Sequence, residues 1–190
     1  MRVPLLALGA LMLTVSSAGT AALDLHGTAR AGNRPQPNAV VWLIAANAPP
    51  SPEARRPVLD QRNLSFSPRV LAVRVGAKVD FPNNDRVFHN VFSFRDGKKF
   101  DLGLYPVGVK QIVQFDKPGL SRIFCNIHPN MAAYVLAVDS PYFTVTDERG
   151  AFTIPLVPTG TFTYQAWRPG GPDLTGTITI AGQPLDIHWP

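Results

Sequence analysis

The stretch Ile123–Met131, IFCNIHPNM, holds the only cysteine of the 190-residue chain, one of its four histidines and one of its three methionines. Cys125, His128 and Met131 fall at every third position, with Pro129 between the last two. The stretch leaves one apolar run, LSRIFC (120–125), and enters another, AAYVLAV (132–138). It therefore reads as a loop joining two strands.

The N-terminus sharpens the question raised by a lone thiol. The chain opens MRVPLLALGALMLTVSSAGTAA, with one Arg, an apolar run from Val3 to Val15, and then small residues. That is the build of a secretory signal peptide, with cleavage expected after Ala22. The apolar run is shorter than the roughly 20 residues of a spanning helix, so no stable membrane insertion is expected after cleavage. The expected location is the periplasm or the exterior. Cysteines normally pair in such an oxidising compartment, and Cys125 has no partner within the chain. Cleavage would also remove Met1 and Met12, leaving one Cys and one Met close together with a His between them.

Outward from the loop, helical periodicity is almost absent. Charged residues make up 16% of the chain, below the usual quarter, while Gly (15) and Pro (19) are plentiful, as in turn-rich β structure. Candidate strands are NLSF (63–66), RVLAVRV (69–75), KVDF (78–81), RVFHNVFSF (86–94), VKQIVQF (109–115), LSRIFC and AAYVLAV. The breakers between them are SPR, GA, PNND, RDGKK, YPVG, DKPG and HPNM. These strands suffice to close a β-sandwich over 58–138. The net charge of +5 is spread out, with Arg55-Arg56 and Lys98-Lys99 the only adjacent basic pairs, so nucleic acid is not an expected partner.

Two flanks remain. LDLHGTAR and NAVVWLIAA precede the sandwich and end at the proline-rich APPSPEARRP; YFTVTDERGAFTIPLVPTGTFTYQAWRPGG and TGTITIAGQPLDIHW follow it. Neither flank alone buries much surface. The economical expectation is that they pair with each other around an inserted sandwich. The alternative is that the first hairpin extends the sandwich. The expected division is a signal peptide (1–22), a first flank (23–48), a linker (49–57), the sandwich (58–138) and a second flank (139–190). GTARAGNRPQPNAVVWL and TDERGAFTIPLVPTGTFTYQAW resemble the opening hairpin and central stretch of carboxypeptidase regulatory-like (transthyretin-like) domains.

Thiolate, thioether and imidazole together suit copper, and two histidines, one cysteine and a weak axial methionine make a copper electron-transfer site. The loop supplies three such groups, and His89 in RVFHNVFSF is the candidate for the second histidine. Period-2 alternation sets Phe88, Phe92 and Phe94 on the face opposite His89, with Val87 and Val91 beside it. Those phenylalanines are expected to form a wall that keeps water from the metal.

At these residues the chain resembles the cupredoxins, especially their plastocyanin and amicyanin branch. The likeness lies in HNV (His89-Asn90-Val91), in C-x-x-H-x-x-M, in Phe124 before the cysteine, and in FDKPGLSRIFC leading to it. The whole chain, with FPNNDRVFHNVFS and PYFTVTDERG, resembles bacterial proteins labelled methylamine-utilisation or plastocyanin-like. The resemblance implies one copper ion held by His89, Cys125 and His128 in a plane, with Met131 as the long axial ligand. It implies that Asn90 ties the His89 strand to the Cys125 loop and helps hold the thiolate. It also implies that electrons leave through His128 across an apolar patch, with Pro106 and Pro129 in it, toward redox protein partners. The implied fold is a Greek-key β-sandwich, and the implied role is an electron carrier, not an enzyme.

A Cys–His hydrolase would leave Met131 unexplained, and structural zinc prefers ligands other than thioether. Haem attachment needs a second cysteine. His26 and His188 read as ordinary strand residues rather than a second metal site. A copper carrier or storage protein, and a structural β-protein, are the remaining rivals.

Overall fold

The computed structural model describes residues 21–45, 55–94 and 96–190. Most of the expected signal segment and much of the linker lie outside the described residues; Ala22, at the expected cleavage point, is the first residue of a strand. Among the described residues the chain is all-β, as read from its sequence, with no helix and five sheets. No helix there is long and apolar enough to cross a membrane.

The strands run in order as β1 (Ala22–Ala31), β2 (Arg34–Pro35) and β3 (Val40–Leu43) in the first flank. The middle holds β4 (Asp60–Arg62), β5 (Ser65–Ser67), β6 (Val70–Arg74), β7 (Lys78–Pro82), β8 (His89–Ser93), β9 (Phe100–Tyr105), β10 (Lys110–Gln114), β11 (Gly119–Phe124) and β12 (Ala132–Val138). The last segment adds β13 (Phe143–Val145), β14 (Ala151–Pro158), β15 (Gly160–Trp167), β16 (Leu174–Ile180) and β17 (Leu185–Trp189).

In the middle section a five-stranded sheet, β6-β12-β11-β8-β9, is joined to the β7–β10 pair and the β4–β5 hairpin by one hydrophobic core. Leu59, Phe66, Val79, Phe81, Val91, Phe115, Ile123 and Val135 fill that core, and Cys125 and Met131 belong to it. Two strands in this section were not read from the sequence. β4 is only three residues long, and β9, FDLGLY, sits at the sheet edge with Asp101 and Gly103, both poor strand formers. Its backbone ladder to β8 and the packing of Phe100, Leu102 and Tyr105 on the sandwich core hold it in place. Conversely, Arg86–Phe88 form a bend ahead of β8 rather than strand.

The flanks build two further sheets. β1 pairs with β14 antiparallel and with β17 parallel, while β3 lies between β13 and β15. Among the described residues, β1 and β3 make no strand pair with β4–β12. Leu25, Ala29, Val41, Leu43, Phe152, Ile154, Ile187 and Trp189 are buried between these sheets.

A third cluster joins flank to middle: Val40 and Trp167 pack on Val70, Leu136 and Val138, and Tyr134 meets Trp167 edge-on at 5.3 Å. β3 and β12 are thus buried on both faces, which is why VVWL and AAYVLAV lack an apolar–polar alternation.

The DERG turn locks the second flank onto the first. Asp147 Oδ1 accepts the N–H groups of Arg149 (2.9 Å) and Ala151 (2.8 Å), and the Ala29 N–H donates to the Gly150 carbonyl at 2.8 Å. Gly150 has φ +73°, and a Cβ there would run into the Ala29 carbonyl oxygen. Gly150→Ala is therefore expected to lower the unfolding free energy by about 1–3 kcal/mol. Arg149→Ala, exposed in the same turn, should leave it nearly unchanged; urea unfolding midpoints measure both.

Candidate metal centre

His89 is the first residue of β8, and Cys125 directly follows β11. The two strands are antiparallel neighbours registered by Phe92 opposite Phe124, so the start of one lies beside the end of the other. Cys125 Sγ lies 3.8 Å from His89 Nδ1 and 3.6 Å from His128 Nδ1, and the two imidazole nitrogens are 3.0 Å apart. Three atoms at these separations lie on a circle of radius about 2 Å, close to the bond lengths of a d-block ion to nitrogen and sulfur. These three donors could therefore hold one such ion between them. Among the described residues this is the one group of three metal-binding side chains of the His, Cys, Asp and Glu kind.

His89 is fully buried, Cys125 nearly so, and His128 half-buried. Met131 is also buried, in the same core as Cys125, and its backbone N–H donates to the His128 carbonyl at 2.9 Å. That bond folds the loop so that Met131 returns to the core while Pro129 and Asn130 stay outside. Pro106 and Pro129 are both exposed. Cys125 and His128 are close enough for a nucleophile–base pair, and the thiol is only 4% exposed. His26 and His188 lie on exposed positions of β1 and β17, and His26 Nδ1 is shared with the Thr153 hydroxyl.

One expected role changes. Phe88 and Phe94 are each 52% exposed, and Phe92, Phe94 and Phe124 stack on one another with centroids 5.8–5.9 Å apart. Alternation turns these rings away from His89, so the apolar surround comes from Val91, Ile123 and the rest of the sandwich core. Val87, expected beside His89, is 41% exposed in the bend. Asn90 is turned from His89 by the same alternation. Its Nδ2 donates to Asp101 Oδ1 at 2.7 Å, bracing β8 against β9, while its buried Oδ1 has no hydrogen-bond partner.

Asp85 was missed in the sequence. His89 Nε2 lies 3.0 Å from Asp85 Oδ2, on the ring edge opposite the cluster. Oδ2 also accepts the Leu64 N–H at 2.7 Å, and Oδ1 accepts the Arg86 N–H at 2.8 Å. The available signal was D-x-x-x-H, but Asp85 closes PNND and reads there as a turn residue. Asn83 shapes that turn: Oδ1 accepts the Asp85 N–H, and Nδ2 donates to the Val87 and Tyr105 carbonyls.

Comparison with known proteins gives one family match and a set of similar solved structures. Residues 137–186 match the family described as polysaccharide lyase family 4, domain II. No curated protein matches the sequence. Among solved structures, a purple cupredoxin from Nitrosopumilus maritimus is similar at 25% identity, over 43% of this chain and 96% of that one, with a TM-score of 0.38. A copper-containing nitrite reductase (NirK) from Thermus scotoductus SA-01 is 24% identical over 50% of this chain but only 25% of its own, at 0.43. An oxidised amicyanin variant is 21% identical over 44% of this chain and 82% of its own, at 0.41. These structural neighbours are cupredoxins and a copper-containing nitrite reductase, and these three are alike over 43–50% of this chain.

Asp85 also sets an acid limit on the fold. Burial pushes its carboxyl up, but the N–H groups of Leu64 and Arg86, with His89, outweigh this and hold it at about 2 against the usual 3.8. A carboxyl held low in the folded state stabilises it above the unfolded value, and that contribution is lost as pH falls toward the folded one. The gap is worth about 2 kcal/mol. Urea unfolding of the metal-free protein at about pH 5 and about pH 2 should show this loss, and Asp85→Asn should remove that part of the difference.

Proposed function

We propose that the chain is an exported one-electron carrier built around a single copper ion, with His89, Cys125 and His128 as equatorial ligands and Met131 as the axial one. The observation that carries this reading is the convergence of one thiol sulfur and two imidazole nitrogens onto a circle of bond-length radius, with Met131 folded into the same core. Soft sulfur donors beside imidazoles select copper, and bound copper supplies reversible one-electron transfer. The chain's part is to keep the donors fixed: His89 and Cys125 are held by paired strands and His128 by the Met131 turn. A half-buried His128 gives electrons an exit while the thiol stays away from water. Four protein ligands leave no open position for substrate, which favours a carrier over an enzyme. Redox proteins are the proposed partners and the periplasm the proposed location.

The same reading takes 58–138 as a cupredoxin-type sandwich inserted in a transthyretin-like domain made of 23–48 and 139–190. Supporting it, β1 and β3 find their pairing partners in the C-terminal segment.

Adding Cu(II) to the metal-free protein should produce an intense visible band from thiolate-to-copper charge transfer, at one ion per chain. Cys125→Ser should abolish the band while circular dichroism remains that of a β-protein. Loss of the band with Cys125 intact but Met131 replaced by Leu would contradict an axial role; a shifted reduction potential with the band retained is the expected result. A protein that binds Cu(I) tightly and gives no coloured Cu(II) form would be a copper store instead.

A further inference from the structure

The carboxylate of Asp85 carries more than an ordinary turn contact. Its two oxygens take three N–H groups, from Leu64, Arg86 and His89, and the residue is 8% exposed. The Leu64 donor comes from a separate element, the β4–β5 hairpin. The register Arg62 opposite Ser65 leaves Asn63 and Leu64 as a two-residue turn, with φ +52° and +55°. Positive φ at both positions is the geometry of a hairpin turn that normally uses Asn-Gly. Leu in the left-handed region is costly, on the order of 1 kcal/mol or more, and Leu64 is half exposed, so no side-chain burial offsets that cost. The bond from the Leu64 N–H to Asp85 is what the conformation secures. Gln61 anchors the same hairpin in the core, donating to the Pro82 carbonyl and the Tyr105 hydroxyl.

We infer that Asp85, braced by the hairpin tip, is the positioning residue of the centre and sets its electron-donating strength. Both carboxylate oxygens act as acceptors, so Nε2 of His89 carries a proton, and in the neutral ring Nδ1, which faces Cys125 and His128, is the nitrogen free to bind a metal. A carboxylate on the far ring nitrogen makes the near nitrogen a stronger donor and favours the more highly charged metal ion. The hairpin is thus part of the centre, although no residue of it reaches the donor cluster.

This inference rests on the copper reading, and its test separates the two. Asp85→Asn keeps the side-chain shape but sets an NH2 group against at least one of the three N–H donors. It should weaken Cu(II) affinity about 10–100-fold, measured by competition with a chelator, and raise the reduction potential. In the metal-free protein, long-range 1H–15N spectra should show His89 as one tautomer protonated at Nε2, and a mixture in Asp85→Asn. Asp85→Glu, which restores a carboxylate, should recover part of the affinity and the single tautomer. Wild-type protein that takes up no Cu(II) would defeat the copper reading, while the metal-free tautomer would still decide the role of Asp85. Normal copper binding with affinity, potential and tautomer all unchanged in Asp85→Asn would overturn the inference.

Discussion

A thiol and two imidazoles meet at one point only if chain segments distant in sequence are locked together, and the β8–β11 pairing provides that lock. Phe92 opposite Phe124 fixes the register, which sets His89 beside Cys125 at one end of the sheet. A slip of one residue would carry His89 to the outer face, where Phe92 and Phe94 now stack, and Asn90 would take its inward place. The sandwich core on the inner side and the aromatic stack on the outer side both oppose that slip.

Burying an imidazole and its carboxylate partner is costly unless their hydrogen bonds are made. The bend before β8 makes them: Asn83, Asp85 and the carbonyls of Val87 and Tyr105 form one connected set. Tyr105 continues it into the core, where burial holds its phenol protonated far above the usual range and its hydroxyl donates to the Phe81 carbonyl. His89 is therefore held from its ring edge, its own strand and the strand beside it. An imidazole held in this way keeps its place, as the proposed one-electron carrier would require.

The flanking sheets add to this from behind. Leu136 and Val138 on the outer face of β12 pack against Val40 and Trp167, while Val135 and Ala137 on the inner face belong to the sandwich core. Each such buried Val or Leu side chain contributes about 1.5–3 kcal/mol. β12 receives the chain as it leaves the Cys125–Met131 loop, so its two-sided burial steadies the loop's exit. In the Phe92–Phe94–Phe124 ring cluster, Phe94 is open to solvent while the other two rings are partly covered.

The sequence alone determined the donor loop and the all-β class. Cys125, His128 and Met131 lie within one turn-sized segment, where covalent spacing nearly fixes their separation, and alternating apolar runs mark strands residue by residue. It also offered His89, since few histidines compete for the role. Tertiary structure decided the rest. Asp85 was hidden inside PNND because one of its partners is Leu64, which precedes it by three strands in chain order. β9 is held by its ladder to β8 and its packing on the core despite Asp101 and Gly103, and the same ladder drew Asn90 to Asp101. The physical reason is one of range: spacing and periodicity act between neighbours along the chain, whereas register, facing and hydrogen-bond partners are settled by residues that meet only after folding.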